Sequence, residues 1–244
     1  MRAIVLAAGS GNRLRSAFED PKCLIPIGGV PLLARYMEGF SWVGIREVIL
    51  VLGYRMEKVV EYAKSLNSTL SILFLENKAY GKGSTLSLLS AKDWLNGDLL
   101  LMDGDLCFEK DFLAKAIACP KPNFFLIDSN AVNDGEAVLV GFKNHRAVSL
   151  SRGLEGDFDL IGEWAGVLKL SPDGSSMLCD VVSREVEQGN IDGGYEFVIP
   201  QIFDHIDLSY ELADGIDWVE IDFPGDIEKA QKMFQMRKGV DKDQ

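Results

Sequence analysis

The chain has 244 residues, of which 47% are hydrophobic and 25% charged, and it carries a formal net charge of −12. That length and apolar share are enough for a sizeable buried core and exclude a disordered chain. An acidic surface repels a phosphate backbone, so nucleic acid is excluded as a natural partner, and any phosphate ligand needs a local cation or a metal ion.

Ala3 to Leu6 is a short apolar run that ends in Ala7-Ala8-Gly9-Ser10-Gly11, the pattern of a buried strand entering a glycine loop. Pro31 to Phe40 reads as a helix with proline in its first turn. Glu47 to Leu52 is a second buried strand, and Met56 to Leu66 has helical spacing at Met56, Val59, Val60 and Ala63. Leu70 to Leu75 is a third strand. Ser84 to Leu95 is a helix capped by Ser84 or a neighbour. Asp98 to Met102 is a fourth strand, ending at Asp103-Gly104-Asp105. The strands are continuously apolar, as when both faces of a sheet are covered. The alternation predicts an α/β fold: a Rossmann-like, doubly wound, mixed but mostly parallel sheet flanked by helices, with ligands at the carboxyl ends of its strands.

Beyond residue 120 the pattern turns β-rich. Phe124 to Asp128, Ala137 to Phe142, Ala147 to Leu150 and Glu163 to Leu170 read as strands, and Met177 to Gln188 and Phe197 to His205 as helices. Trp218 to Asp222 is a late strand before a final helix that runs to Met236. No linker rich in Pro, Gly or Ser divides the chain. The expectation is one domain over residues 1–244, with a nucleotide-binding half (1–120) and an acceptor-binding half (121–244) that contains a smaller β-rich part.

The cysteines, Cys23, Cys107, Cys119 and Cys179, have no C-x-x-C spacing and read as reduced, buried thiols. The only histidines, His145 and His205, rule out a His-rich metal site. No apolar stretch approaches the ~20 residues of a membrane span, and Met1 to Gly9 is too short for a signal segment. The expected location is cytoplasmic, without membrane insertion.

Four segments carry chemistry. In Leu6-Ala7-Ala8-Gly9-Ser10-Gly11-Asn12-Arg13-Leu14, glycines free backbone N–H groups to meet phosphate oxygens, and Arg13 adds a cation. The Rossmann fingerprint fails, since its third glycine position holds Leu14, and no P-loop G-K-[ST] follows. Pro21-Lys22-Cys23-Leu24 holds a lysine semi-rigidly within reach of the same phosphates. Asp103-Gly104-Asp105 puts carboxylates, ligands for a hard cation, at a strand end. Asp222 ends the late strand, where it can cap the N-terminus of the final helix.

L-A-A-G-x-G-x-R-L followed closely by P-K-x-L resembles the signature of the nucleotidyltransferases that make nucleotide sugars and related activated alcohols. The resemblance implies a magnesium-dependent enzyme. Arg13 and Lys22 would contact the triphosphate, and Leu6, Ala7, Ala8, Gly9 and Gly11 would cradle the nucleotide. Asp105 and Asp222 would hold Mg2+, with Asp103 on the nucleotide side. The base-reading loop would be Asn77 to Leu86, including Asn77, Tyr80 and Ser84. Its Asn-x-x-Tyr pattern looks like that of cytidylyltransferases acting on phosphocholine, 2-aminoethylphosphonate or inositol phosphate, which makes CTP the expected donor. Glu136, Trp164, Tyr195 and Glu196 are candidates for an acidic, aromatic acceptor pocket that takes an ammonium group; Trp164 also reads as a core residue. Alternatives are a sugar-1-phosphate uridylyl-, thymidylyl- or guanylyltransferase, a nucleotide-binding regulatory protein without catalysis, and, distantly, a NAD-dependent dehydrogenase. A homodimer is compatible with all of them.

Overall fold

A computed structural model describes residues 1–130, 135 and 137–240. The first half lays down β1 (Arg2–Ala7), β2 (Pro26–Ile27), β3 (Val30–Pro31), α1 (Leu32–Trp42), β4 (Glu47–Leu52), α2 (Met56–Ser65), β5 (Ser71–Glu76), α3 (Ser84–Ser90), β6 (Leu99–Asp103), β7 (Leu106–Phe108) and α4 (Lys110–Ala118). The second half adds β8 (Phe124–Asp128), β9 (Val138–Lys143), β10 (Arg146–Arg152), β11 (Leu160–Leu170), α5 (Pro172–Glu187), β12 (Ser209–Leu212), β13 (Trp218–Glu220) and α6 (Pro224–Val240).

Nine strands form one mixed sheet, with β10, β9, β11, β6, β1, β4 and β5 side by side and β8 pairing with β11 and β12. The first-half strands β6, β1, β4 and β5 are mutually parallel. Strand β11 joins β6 antiparallel through Val167–Leu170, so the two halves share their hydrogen-bond ladder. The predicted α/β architecture is the one observed.

Alternation along β1 shows why both faces are covered. Ala3 and Val5 enter a core under α1, α2, α4 and α6, whereas Ile4 and Leu6 enter a second core under α3 and α5. All four lie below one-tenth exposure. Burying such apolar side chains contributes about 1.5–3 kcal/mol each, which makes the sheet a stiff platform for the loops at its carboxyl edge.

Element ends differ from the sequence expectation where tertiary contacts intervene. Helix α1 starts after Pro31, because Pro31 is paired with Pro26 in a small hairpin. Helix α3 stops at Ser90 and continues as a 3-10 turn over Lys92–Trp94, tightened by the Ala91 N–H to the Leu88 carbonyl. Ser84 is not its cap; the Ser84 hydroxyl accepts a bond from the backbone of Tyr195. The segment expected to be a helix from Phe197 is instead two 3-10 turns, Tyr195–Phe197 and Ile199–Ile202, the second containing Pro200, which lacks a donor. Strands β7 and β12 were not foreseen. Among the described residues, no helix is long and apolar enough to cross a membrane.

Candidate active site

The carboxyl ends of β1 and β6 meet at one point. There the Gly104 N–H donates to the Leu6 carbonyl at 2.9 Å. A side chain at Gly104 would lie 2.8 Å from the Ala7 backbone, so only glycine permits this approach. Gly11, at φ 58°, turns the loop after β1 so that the stem of Lys22 lies across it. Beyond the strand ends lies a cleft of about 970 Å³. A smaller recess of about 290 Å³, lined by Gly9, Gly11, Arg13 and Lys22, adjoins it and shares Asp105 and Asp222.

The small two-stranded sheet β7–β13 completes the site. Glu220 pairs with Leu106, and the Ile221 N–H donates to the Asp105 carbonyl at 3.0 Å. This register carries Asp222, from the far end of the chain, to Asp105. It also brings in Glu220, which the sequence reading missed. Oxygen atoms of Asp105, Glu220 and Asp222 all lie within 4.8 Å of one another. Three hard carboxylate donors that close suit Mg2+. Alternation along a late strand read as far as Asp222 would set Glu220 on the same face, but only the pairing of β13 with β7 brings it to Asp105.

Lys22 sits among these carboxylates. Its ammonium donates to Asp105 at 2.9 Å and also pairs with Asp222. Burial pulls its pKa down, but the charges of Asp105 and Asp222 outweigh burial and raise it above the ordinary lysine value. Protein around Glu220, then the carboxylates of Asp105 and Asp222, push the Glu220 pKa up to about 8, although solvent reaches the side chain from the cleft. Arg13 is exposed; its guanidinium lies 3.4 Å from Asp222 and 5.0 Å from the Phe223 ring centre.

The Asp222 carboxylate therefore faces Lys22 and Arg13. The final helix is satisfied by its third residue instead, since Asp226 accepts the N–H groups of Asp222 and Phe223 at 3.2 and 2.8 Å.

A buried tyrosine holds the Asp103–Asp105 turn from below. The Tyr36 hydroxyl donates to the Asp103 carbonyl at 2.6 Å and accepts the Leu106 N–H at 3.0 Å. Nothing in the sequence marked Tyr36 as more than a core residue of α1. The Asp103 carboxylate is half-buried beside Asp105 and Glu220, and the protein around it first, then those charges, raise its pKa well above the usual carboxylate range.

Leu6, Ala8, Gly9, Tyr80, Ser84 and Asp103 line the main cleft, and Ala7 lines the recess. Asn77 does not reach the lining. It is buried, its amide donates to Ser87 at 3.0 Å, and its oxygen accepts the Ala79 N–H at 2.9 Å, so it shapes the loop. Glu196, Trp164 and Tyr195 line the same cleft. Trp164 is nevertheless a packed residue: its indole N–H is taken by the Val167 carbonyl at 2.9 Å. Glu136 lies outside the described residues. The four cysteines are free, and burial pushes the Cys23 and Cys107 thiols up to about 12, leaving them unreactive.

The MobA-like NTP transferase domain family matches residues 3–155 of this chain. CMP-5'-(3-aminopropyl)phosphonate synthase of Streptomyces rubellomurinus is 29% identical, over 96% of this chain and 39% of that protein. The bifunctional protein GlmU of Methanocaldococcus jannaschii is 28% identical, over 94% of this chain and 58% of its own length. The chain thus spans little more than half, or less, of these relatives. The solved inositol-1-phosphate CTP transferase from T. maritima shares the fold with a TM-score of 0.77 at 20% identity, covering 95% of this chain and 94% of that one. With more than half of its length matched and its fold shared almost end to end with a solved nucleotidyltransferase, the chain belongs to the MobA-like NTP transferase domain family.

Proposed function

We propose that the protein transfers CMP from CTP to a small phosphorylated or phosphonate acceptor bearing an ammonium group, with release of pyrophosphate. The charge of the cleft carries this reading. Among the described residues, nine carboxylates line it, against two cationic side chains, Arg152 and Lys229. Setting aside the cluster of Asp105, Glu220 and Asp222 leaves 9 − 3 = 6, of which Asp226 is paired with Lys229 and Asp103 is held toward its neutral form, so 6 − 2 = 4 remain: Asp128, Glu163, Glu196 and Asp217. A field of that sign favours an acceptor with a cationic end over one bearing only hydroxyls. Glu163 and Asp128, paired across β11 and β8, and Glu196 lie among the four. The name of the Streptomyces relative, a CMP-aminopropylphosphonate synthase, supports the same chemistry, and CTP in the name of the T. maritima enzyme supports the donor. Phosphocholine and 2-aminoethylphosphonate are the acceptors that fit; inositol phosphate fits the donor but not the field.

The reaction is an in-line displacement. An acceptor oxygen forms a bond to the α-phosphorus of CTP as the bond to the bridging oxygen of pyrophosphate breaks. The second pKa of a phosphate monoester is about 6, so the nucleophile is ionised near neutral pH and needs no general base. Neither histidine lines the cleft, and His145 is engaged with the Tyr210 hydroxyl at 3.1 Å. The glycine loop offers backbone N–H groups to the nucleotide. Lys22 and Arg13 offset the negative charge that gathers on the α-phosphoryl and pyrophosphate groups. Asp105, Asp222 and Glu220 would hold Mg2+, which when bound neutralises and orients polyphosphate oxygens.

The test is pyrophosphate release with Mg2+ across four nucleoside triphosphates crossed with phosphocholine, 2-aminoethylphosphonate, inositol-1-phosphate and glucose-1-phosphate. Release with CTP and an ammonium-bearing acceptor is expected. Release with UTP, dTTP or GTP and the sugar phosphate favours the sugar-nucleotide alternative, to which the Methanocaldococcus relative lends weight. Tight nucleotide binding without release in any pairing favours a regulatory protein.

A further inference from the structure

Residues 193–195 touch two separate parts of the site. The N–H and hydroxyl of Thr85 both donate to the Gly193 carbonyl, at 3.3 and 3.2 Å. The Tyr195 N–H donates to the Ser84 hydroxyl at 2.9 Å. The two backbones lie so close that a side chain at Gly83, already at φ 119°, would stand 2.2 Å from the Gly193 oxygen. From the same segment the Tyr195 ring turns inward. It is 2% exposed, packs edge-on to Trp164 at 5.4 Å, and donates its hydroxyl to the Asp103 carboxylate at 3.1 Å.

That carboxylate is walled on its other side. Strand β11 has a register shift between Trp164 and Val167, and Gly166 within it adopts φ 65°. A side chain at Gly166 would come within 3.0 Å of Asp103 Oδ2. The bulge makes room for the carboxylate, and Tyr195 fixes it there. The single hydroxyl proton of Tyr195 is committed to Asp103 and is not available to a ligand.

We propose that Tyr195 is a positioning residue, a strut that fixes the Asp103–Asp105 turn relative to the start of α3 at Gly83–Thr85, and not a direct contact to the acceptor. The kinetic part of this inference rests on the proposed transferase reaction; the structural part stands without it. The test is Tyr195→Phe, which keeps the ring and removes the hydroxyl. Amide hydrogen exchange at residues 103–107 is expected to quicken about fivefold, the loss of one hydrogen bond, while β1 and β4 exchange as in the wild type. With CTP and acceptor, kcat is expected to fall about tenfold with acceptor KM within about twofold, since misplacement acts on the reacting geometry. Wild-type exchange at 103–107, or a loss confined to acceptor KM, overturns the proposal. Should Tyr195→Phe fail to fold, Ser84→Ala releases the other end. Faster exchange at both 83–86 and 103–107 is then expected, and a response confined to 83–86 overturns the strut. If the wild type shows no transfer with any substrate pair yet exchange at 103–107 still quickens in Tyr195→Phe, the strut stands and the proposed function falls.

Discussion

Lys22 shows how one side chain depends on a distant backbone. Its stem needs the open surface of Gly11, and its ammonium needs two carboxylates brought from β6 and from the residues after β13. Replacing Lys22 with alanine is expected to lower kcat by about 100-fold or more with little change in acceptor KM, as for removal of a preorganised charge that acts on developing charge; steady-state pyrophosphate release checks this. Gly11→Ala asks an L side chain to hold a left-handed backbone and to crowd Lys22 Cγ at 3.1 Å. About 1–2 kcal/mol of lost stability is expected, together with reduced turnover. Gly11 and Asp105 were legible in the sequence because they follow buried apolar strands, and Lys22 and Asp222 were legible only through the resemblance of the motifs around them. Glu220 and Tyr36 were not. One depends on the three-residue strand β7, which reads as part of a turn, and the other on a hydroxyl at the inner end of an otherwise apolar helix face.

At the scale of elements, the junction between β13 and α6 sets the second aspartate. Asp226 takes the backbone of Asp222 and Phe223, so helix and site are fastened by the same carboxylate. Asp226→Ala is expected to cost about 1 kcal/mol, a loss of about 2–4 °C in melting temperature, and to weaken activity through Asp222. Burial raises the pKa of Asp226, but Lys229 and the two backbone donors prevail and hold it below the ordinary value. A depressed carboxylate stabilises above its unfolded pKa, about 3.9, and loses that contribution as pH falls through the folded value. The gap in melting temperature between wild type and Asp226→Ala is therefore expected to be constant from pH 8 to about 5 and to close toward pH 3. The sequence located this helix, but assigning its N-terminus needed the backbone: Asp222 and Asp226 are equally good capping residues on paper.

The whole molecule is a sheet shared by two differently built halves. Leu99–Met102 of β6 are fully buried between β1 and β11. A fragment of residues 1–120 would bare that edge to solvent, and it is expected to aggregate rather than fold, as size-exclusion chromatography would show. The full chain is expected to melt in one transition by both near- and far-UV circular dichroism. The parallel half was readable because continuous apolar strands alternate with amphipathic helices. In the second half, β11 changes its neighbour from β9 to β6 midway, at the bulge beside Asp103. No local pattern encodes a change of partner, and the glycine that permits it, Gly166, looks in sequence like any other.

The ammonium of Lys22 gives the carboxylates a counterion that belongs to the chain itself. A divalent ion arriving alone must part that ion pair and leave Lys22 with no anion in exchange. An ion arriving with a polyphosphate supplies one. On the proposed reaction, metal and nucleotide are therefore expected to act as heterotropic ligands whose affinities rise together, each enhancing the other by the same factor. Mn2+ titrated alone, followed by electron paramagnetic resonance, is expected to bind weakly, and to bind at least ~10-fold more tightly with CTP present than CTP and Mn2+ do in free solution. In Lys22→Met the advantage conferred by nucleotide is expected to shrink. A protein so arranged answers to the concentration of the metal–nucleotide complex and not to that of the free ion.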